Sequence, residues 1–175
     1  KDVLDRSEEQ SLDIIKAKSP HLNNKETVSK QVGVGAVIFF ALSSGRIKDT
    51  VFSYDEVLNF DGETGPYVQY TNARCNSVLR KAEVDIKNIP SGEIEADFSS
   101  IENESSYTLI SILEQFGEIL SISLDKYEPS ILTRYLIDVA KAFNKFYLEN
   151  RIIDGKLGVS NARLALVCST AVVLK

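Results

Sequence analysis

The 175-residue sequence has no methionine, no tryptophan and one histidine, His21. A metal centre or catalytic triad needs several ligands or bases to converge, and one histidine in the turn Ser19-Pro20-His21 does not supply them. His21 is expected at the surface or at a helix cap. The two cysteines, Cys75 and Cys168, stand far apart with no CxxC spacing, which gives no zinc signature and suits buried thiols in a reducing, cytoplasmic compartment. Long apolar runs are also missing: the longest, Val34 to Leu42, is far below the roughly 20 residues of a bilayer span, so no membrane partner is expected. No secretory leader opens the sequence, and a start at Lys1 without methionine reads as a piece of a longer chain. Neither GxxxxGK[ST] nor GxSxG occurs. Asp55 with Glu56, and Glu95 with Asp97, are loop neighbours best read as solvated charge. Nothing here predicts an active site.

What is present is ordinary globular material, 43% hydrophobic and 26% charged, which excludes disorder and collagen. The net charge of −5 argues against a protein that coats nucleic acid by charge alone. The acids are unevenly spread, however. Seven of them fall between Glu83 and Glu104 against one base, Lys87, while Pro66 to Ala82 holds Arg74, Arg80 and Lys81 and no acid. A local cationic face is compatible with that distribution.

Apolar spacing predicts helices throughout. Asp5 to Lys18 has acids first and lysines last, matching the helix dipole, and stops at Ser19-Pro20. Asn24 offers an N-cap to a second, buried helix closed by Gly45. Its Gly33-Val34-Gly35 is not a nucleotide loop, because Ile38 stands where a third glycine is needed; the glycines fit close helix packing. Arg46 to Gly65 is an irregular but ordered connection. Pro66 starts a third helix, on which Tyr67, Tyr70, Ala73, Arg74, Ser77 and Val78 share a face. Residues 84–104, acidic and carrying Pro90 and Gly92, are expected to form a mobile surface insertion. Ser105-Ser106 then caps a helix with Ile110, Leu113 and Phe116 on one face, followed by a short helix over 118–127. From Pro129, Leu132, Tyr135, Leu136, Val139, Phe143 and Phe146 recur at three- and four-residue steps, with Arg134, Asp138, Lys141 and Lys145 on another face. After a break at Asp154-Gly155 and Gly158, Ser160 caps a last helix with Leu164, Val167, Ala171 and Leu174 on one side. The fold class is all-α, an antiparallel helical bundle.

The phrase Leu58-Asn59-Phe60-Asp61-Gly62-Glu63-Thr64-Gly65-Pro66-Tyr67-Val68-Gln69-Tyr70-Thr71-Asn72-Ala73-Arg74 holds more stacking and hydrogen-bonding capacity than an ordinary core helix needs. With VGVGAVIFFALSSGRIKD (residues 32–49), RYLIDVAKAFNKFY (134–147) and ARLALV (162–167), it resembles arginyl-tRNA synthetase, a class I family. The resemblance covers nearly the whole chain, least over 84–104. It implies that residues 1–65 are the end of a catalytic domain with connecting helices. It also implies that residues 66–175 are a helical anticodon-binding domain whose Asp-Ala-Leu-Arg type motif stands here as Asn161-Ala162-Arg163-Leu164. The two nucleotide-binding signatures of the class I catalytic fold are missing from the sequence, as is the family's C-terminal extension. The implied partners are the anticodon stem-loop of arginine tRNA and the catalytic domain of the same protein. No cofactor is expected on this chain, whereas ATP and magnesium serve the complete arginine–tRNA ligase; this stretch alone should not aminoacylate. The same resemblance directs Tyr70, Arg74 and Tyr147 toward the anticodon stem-loop, tyrosines as stacking platforms and arginine toward phosphate or base. Arg151 stands near where some relatives carry a further aromatic, a place a guanidinium can fill by stacking. Each of Tyr70, Arg74 and Tyr147 is also open to a scaffold role, as core tyrosines and a structural salt bridge. The whole chain is open to reading as a helical protein-interaction module without RNA affinity.

Overall fold

Helix α1, Asp2–Lys18, opens with Asp2 and Asp5 and closes with Lys16 and Lys18, the charge order that suits its dipole. It packs along α2, Lys25–Ser43, through a seam of small residues: Ser7 and Ser11 on one side, Ser29, Gly33 and Ala36 on the other, all buried. Ser7 and Ser29 satisfy their hydroxyls on their own helices, at Val3 O (2.8 Å) and Glu26 O (2.9 Å), while the buried Ser11 hydroxyl has no partner among the described residues. The computed structural model describes residues 1–84, 96–155 and 157–175, and among these only helices and connecting loops occur.

The connection after α2 contains one short helix, α3, Tyr54–Val57. Phe52 holds it in place, its ring edge-on to both Phe40 and Tyr54, while Val57 and Leu58 are buried against Ala36. Helix α4, Gly65–Lys81, follows. A 3₁₀ turn, Phe98–Ile101, leads to α5, Glu104–Glu114; α6 spans Phe116–Asp125, α7 Pro129–Glu149 and α8 Leu157–Val173. The largest core lies between α4, α5, α7 and α8, where Cys75, Leu109, Phe143, Phe146 and Val167 are fully enclosed. A second core, with Val68, Tyr135, Val139 and Leu174, joins α4, α7 and α8 and receives Phe39 from α2 and Phe116 from α6. Helix α4 thus packs on α7, as their apolar spacing predicts.

Several sequence expectations need correction. Helix α2 is not buried all round: Ile38 and Leu42 are 52% and 43% exposed, because the helix has neighbours on only part of its circumference. It ends at Ser44 in extended conformation rather than at Gly45. The cap of α5 is Asn103, whose Oδ1 accepts from Ser106 N at 2.9 Å, and the buried residues of α5 are Ser105, Ser106 and Leu109. Helix α8 begins at Leu157 and runs through Gly158, so Ser160 lies inside it. The insertion assigned to 84–104 is shorter than its composition suggests, since Ile101 is buried and Ala96 packs on the core; residues 85–95, with Pro90 and Gly92, lie outside the described residues.

Candidate nucleic-acid interface

The Gly62-to-Pro66 phrase fixes how α4 leaves the loop. Thr64 Oγ1 accepts from Tyr67 N at 3.3 Å and donates to Asn59 O, closing the N-terminus from below. Pro66 occupies the first turn, where no backbone donor is needed. Gly65 lies so close to α2 that a Cβ there would sit 2.9 Å from Phe39 Cβ. Seated this way, α4 buries Val68, Thr71, Cys75, Val78 and Leu79. Tyr70 and Arg74 fall beside this buried stripe, on the flank that faces out.

That flank forms one wall of a groove of about 540 Å³, with the C-terminal turn of α7 and the loop 150–153 as the other. All four site residues expected from the sequence line it: Tyr70, Arg74, Tyr147 and Arg151. The Arg74 guanidinium lies between two rings, its Cζ 4.9 Å from the Tyr70 centroid and 5.3 Å from that of Tyr147. Its Nη2 donates to Tyr70 Oη at 3.4 Å and its Nη1 donates to Asn144 Oδ1. Among the described residues no carboxylate pairs with it. Tyr70, 51% exposed, is not a core tyrosine. Tyr147 has both characters: one face stacks on Phe143 (6.1 Å, 29°) while the other looks toward Arg74.

Sequence reasoning missed the residues that hold this arrangement. Asn144 Nδ2 donates to Tyr67 Oη at 3.0 Å and to Thr71 Oγ1 at 3.1 Å, which turns its oxygen toward Arg74. Asn150, 6% exposed, donates to Ser105 Oγ and Phe146 O and accepts from Asn103 Nδ2 at 2.7 Å, anchoring the chain where α7 ends. Arg163 Nη1 donates to Arg151 O at 2.7 Å and pairs with Asp154 at 3.3 Å, tying the loop that carries Arg151 to α8. Lys81 adds a third cation to the groove, and among the described residues no acid lines it. The partners of these residues are distant in sequence, 70 positions for Arg74 and Asn144, so no local pattern announces them. His21 is exposed, and among the described residues no three metal-ligating side chains converge.

Residues 68–175 match the family described as DALR anticodon binding domain. The chain belongs to that family. The DALR domain and the helices before it are together 47% identical to an arginine–tRNA ligase of Clostridioides difficile over 169 residues, 97% of this chain and 29% of that protein. An arginine–tRNA ligase of Clostridium botulinum is 46% identical over 175 residues, 99% of this chain and 30% of its own length. Among solved structures, the Thermus thermophilus arginyl-tRNA synthetase superposes with a TM-score of 0.86 at 30% identity, covering 99% of this chain and 29% of that one. The Plasmodium falciparum arginyl-tRNA synthetase gives 0.79 at 25% identity, covering 99% and 30%. The chain therefore spans about three tenths of the length of these relatives. In the DALR motif itself, Ala162 and Leu164 are core residues and Arg163 is the tie to the Arg151 loop.

Proposed function

We propose that this chain is the anticodon-arm-binding part of an arginine–tRNA ligase. Residues 66–175 form the RNA-binding unit, and residues 1–65 the end of the catalytic domain with its connecting helices. One observation supports this most: two tyrosines beside an arginine, in a groove where no carboxylate among the described residues pairs with it or lines the wall, within a DALR domain. Unpaired bases of the anticodon loop stack on Tyr70 or Tyr147, and Arg74 and Arg151 meet phosphate or the face of a base. The overall negative charge favours a protein-interaction module only if it reaches the groove, and among the described residues the groove lining holds none of it.

The ligation of arginine belongs to residues beyond this chain. The sequence carries neither class I nucleotide signature, and among the described residues no acidic cluster fits magnesium, so neither ATP nor magnesium is assigned a place here. By itself the chain neither activates arginine nor charges tRNA. The whole protein works in the cytoplasm, in keeping with two buried free thiols.

The test is arginine-tRNA binding by the whole protein with Tyr70→Ala, Arg74→Ala and Tyr147→Ala, each with a melting curve. Loss of a stacking platform weakens RNA binding by about 1–3 kcal/mol. Unchanged affinity in all three, with lowered melting temperatures, would assign these residues to the scaffold and remove the RNA reading of the groove.

A further inference from the structure

Arg74 carries a long, flexible side chain, yet its guanidinium sits in a defined slot, and what defines the slot is mostly not the groove surface. Tyr70 and Tyr147 each place a ring against it, but a cation over a ring is free to slide and rotate in plane. In-plane orientation needs a directional acceptor at the guanidinium edge. Tyr70 Oη accepts from Nη2 at 3.4 Å, and the acceptor for Nη1 is Asn144 Oδ1, whose direction is set in turn by the two donations of Nδ2 to Tyr67 Oη and Thr71 Oγ1. Thr71 is itself fixed, since its hydroxyl donates to Tyr67 O at 2.9 Å and its side chain is fully buried. The amide of Asn144 is therefore oriented: reversed, its NH₂ would face the Arg74 donors, and its oxygen would face the Thr71 hydroxyl, whose proton is already given to Tyr67 O.

We infer that Asn144 is a positioning residue for RNA recognition: with Thr71 behind it, it holds the Arg74 guanidinium between Tyr70 and Tyr147 before RNA arrives. This deepens, and rests on, the RNA reading of the groove. A pre-set arginine loses less side-chain freedom on binding than a mobile one, so the benefit appears in affinity although Thr71, enclosed in the core, cannot touch the ligand.

The experiment reads position and function separately. With arginine-selective ¹⁵N labelling, the Arg74 Nε–Hε resonance, assigned by its loss in Arg74→Ala, reports the ring currents of the two tyrosines in the absence of RNA. In Asn144→Ala it moves toward the shift of free arginine, and in Thr71→Val it moves part of the way. Arginine-tRNA affinity falls roughly tenfold in Asn144→Ala, the size of one charged hydrogen bond, and less in Thr71→Val. In an Arg74→Ala background, Asn144→Ala has no further effect on affinity, which a general loss of stability would not reproduce. An unmoved resonance in Asn144→Ala overturns the positioning role. A moved resonance with unchanged affinity, where Arg74→Ala does weaken binding, overturns its functional importance. If Arg74→Ala leaves tRNA affinity intact while the resonance responds as expected, the RNA reading of the groove fails, and the inference about recognition with it.

Discussion

Gly33 is held where no side chain fits. A Cβ there would lie 2.6 Å from Ser7 O and 2.8 Å from Glu8 N, both backbone atoms of α1 that cannot swing aside. Alanine would gain about 1 kcal/mol of helix propensity, but overpacking against a rigid backbone costs about 1–3 kcal/mol, so the clash outweighs the gain. Gly33→Ala is expected to lower the melting temperature by a few degrees, about 2–4 °C per kcal/mol for a chain of this size; an unchanged or higher value would show that α1 shifts freely along α2. Cys75 offers a pH test of burial. Desolvation pushes its thiol from 9.0 up to about 12, against smaller opposing effects of its backbone hydrogen bond and Arg74. Below pH 9 the thiol is neutral in both folded and unfolded chain and contributes no pH dependence. Between pH 9 and about 12 only the unfolded chain ionises, so stability falls by up to about 1.4 kcal/mol per unit. Urea unfolding across that range should show a shallower decline for Cys75→Ala than for wild type; parallel declines would mean that the thiol reaches water in the fold.

Which elements could be read from sequence depended on whether one side of the helix faces water. Helix α7 was legible because Arg134, Asp138, Lys141 and Lys145 are exposed while Tyr135, Val139, Phe143 and Phe146 are buried, a clean 3.6-residue period. Helix α2 was not, because its apolar residues run nearly all round and periodicity cannot separate Phe39, which packs inward, from Ile38, which does not. Caps were misjudged where two polar residues compete: Asn103 takes the cap of α5, and Ser105 and Ser106 become its first buried residues. Tyr70, Arg74 and Tyr147 came from a family phrase, whereas Asn144, Asn150 and Arg163 carry no local sign of their long-range bonds. Arg163 shows what such a tie does between elements. Its side chain and that of Asp154 are only 16% and 21% exposed, and it alone links the Arg151 carbonyl to α8 among the described residues. Arg163→Ala should therefore lower stability by about 1–3 kcal/mol and loosen loop 150–155. Lysine should restore part of it, since carbonyl and carboxylate are both reached by the one nitrogen Nη1 and an ammonium carries three donors. Limited proteolysis would show faster cleavage in that loop, and a rate equal to wild type would mean that α7 alone holds it.

Across the whole molecule, the net charge of −5 and a groove without an acid among its described residues are reconciled by where cations are already paired. On the outward side of α7, Lys141 hydrogen-bonds and ion-pairs with Glu63, which holds the Glu63 carboxyl below and the Lys141 ammonium above their usual ranges, and Lys145 pairs with Glu104 at 3.4 Å. These cations are offset locally by exposed acids. Arg74, Lys81 and Arg151 have no such acid among the described residues of the groove lining. If each meets one phosphate of an unpaired loop, counterion release at about 0.7 per contact gives a slope of log affinity against log salt near −2. Such a shallow slope leaves stacking on Tyr70 and Tyr147 as the larger contribution, and makes the groove selective for unpaired bases over duplex. Binding of an isolated anticodon stem-loop, measured at several salt concentrations, should give that value, and Arg151→Ala should lower it by about 0.7. A slope steeper than about −4 would require cations outside the groove, first of all Lys141 and Lys145 released from Glu63 and Glu104, and the footprint of the RNA would then extend along α7.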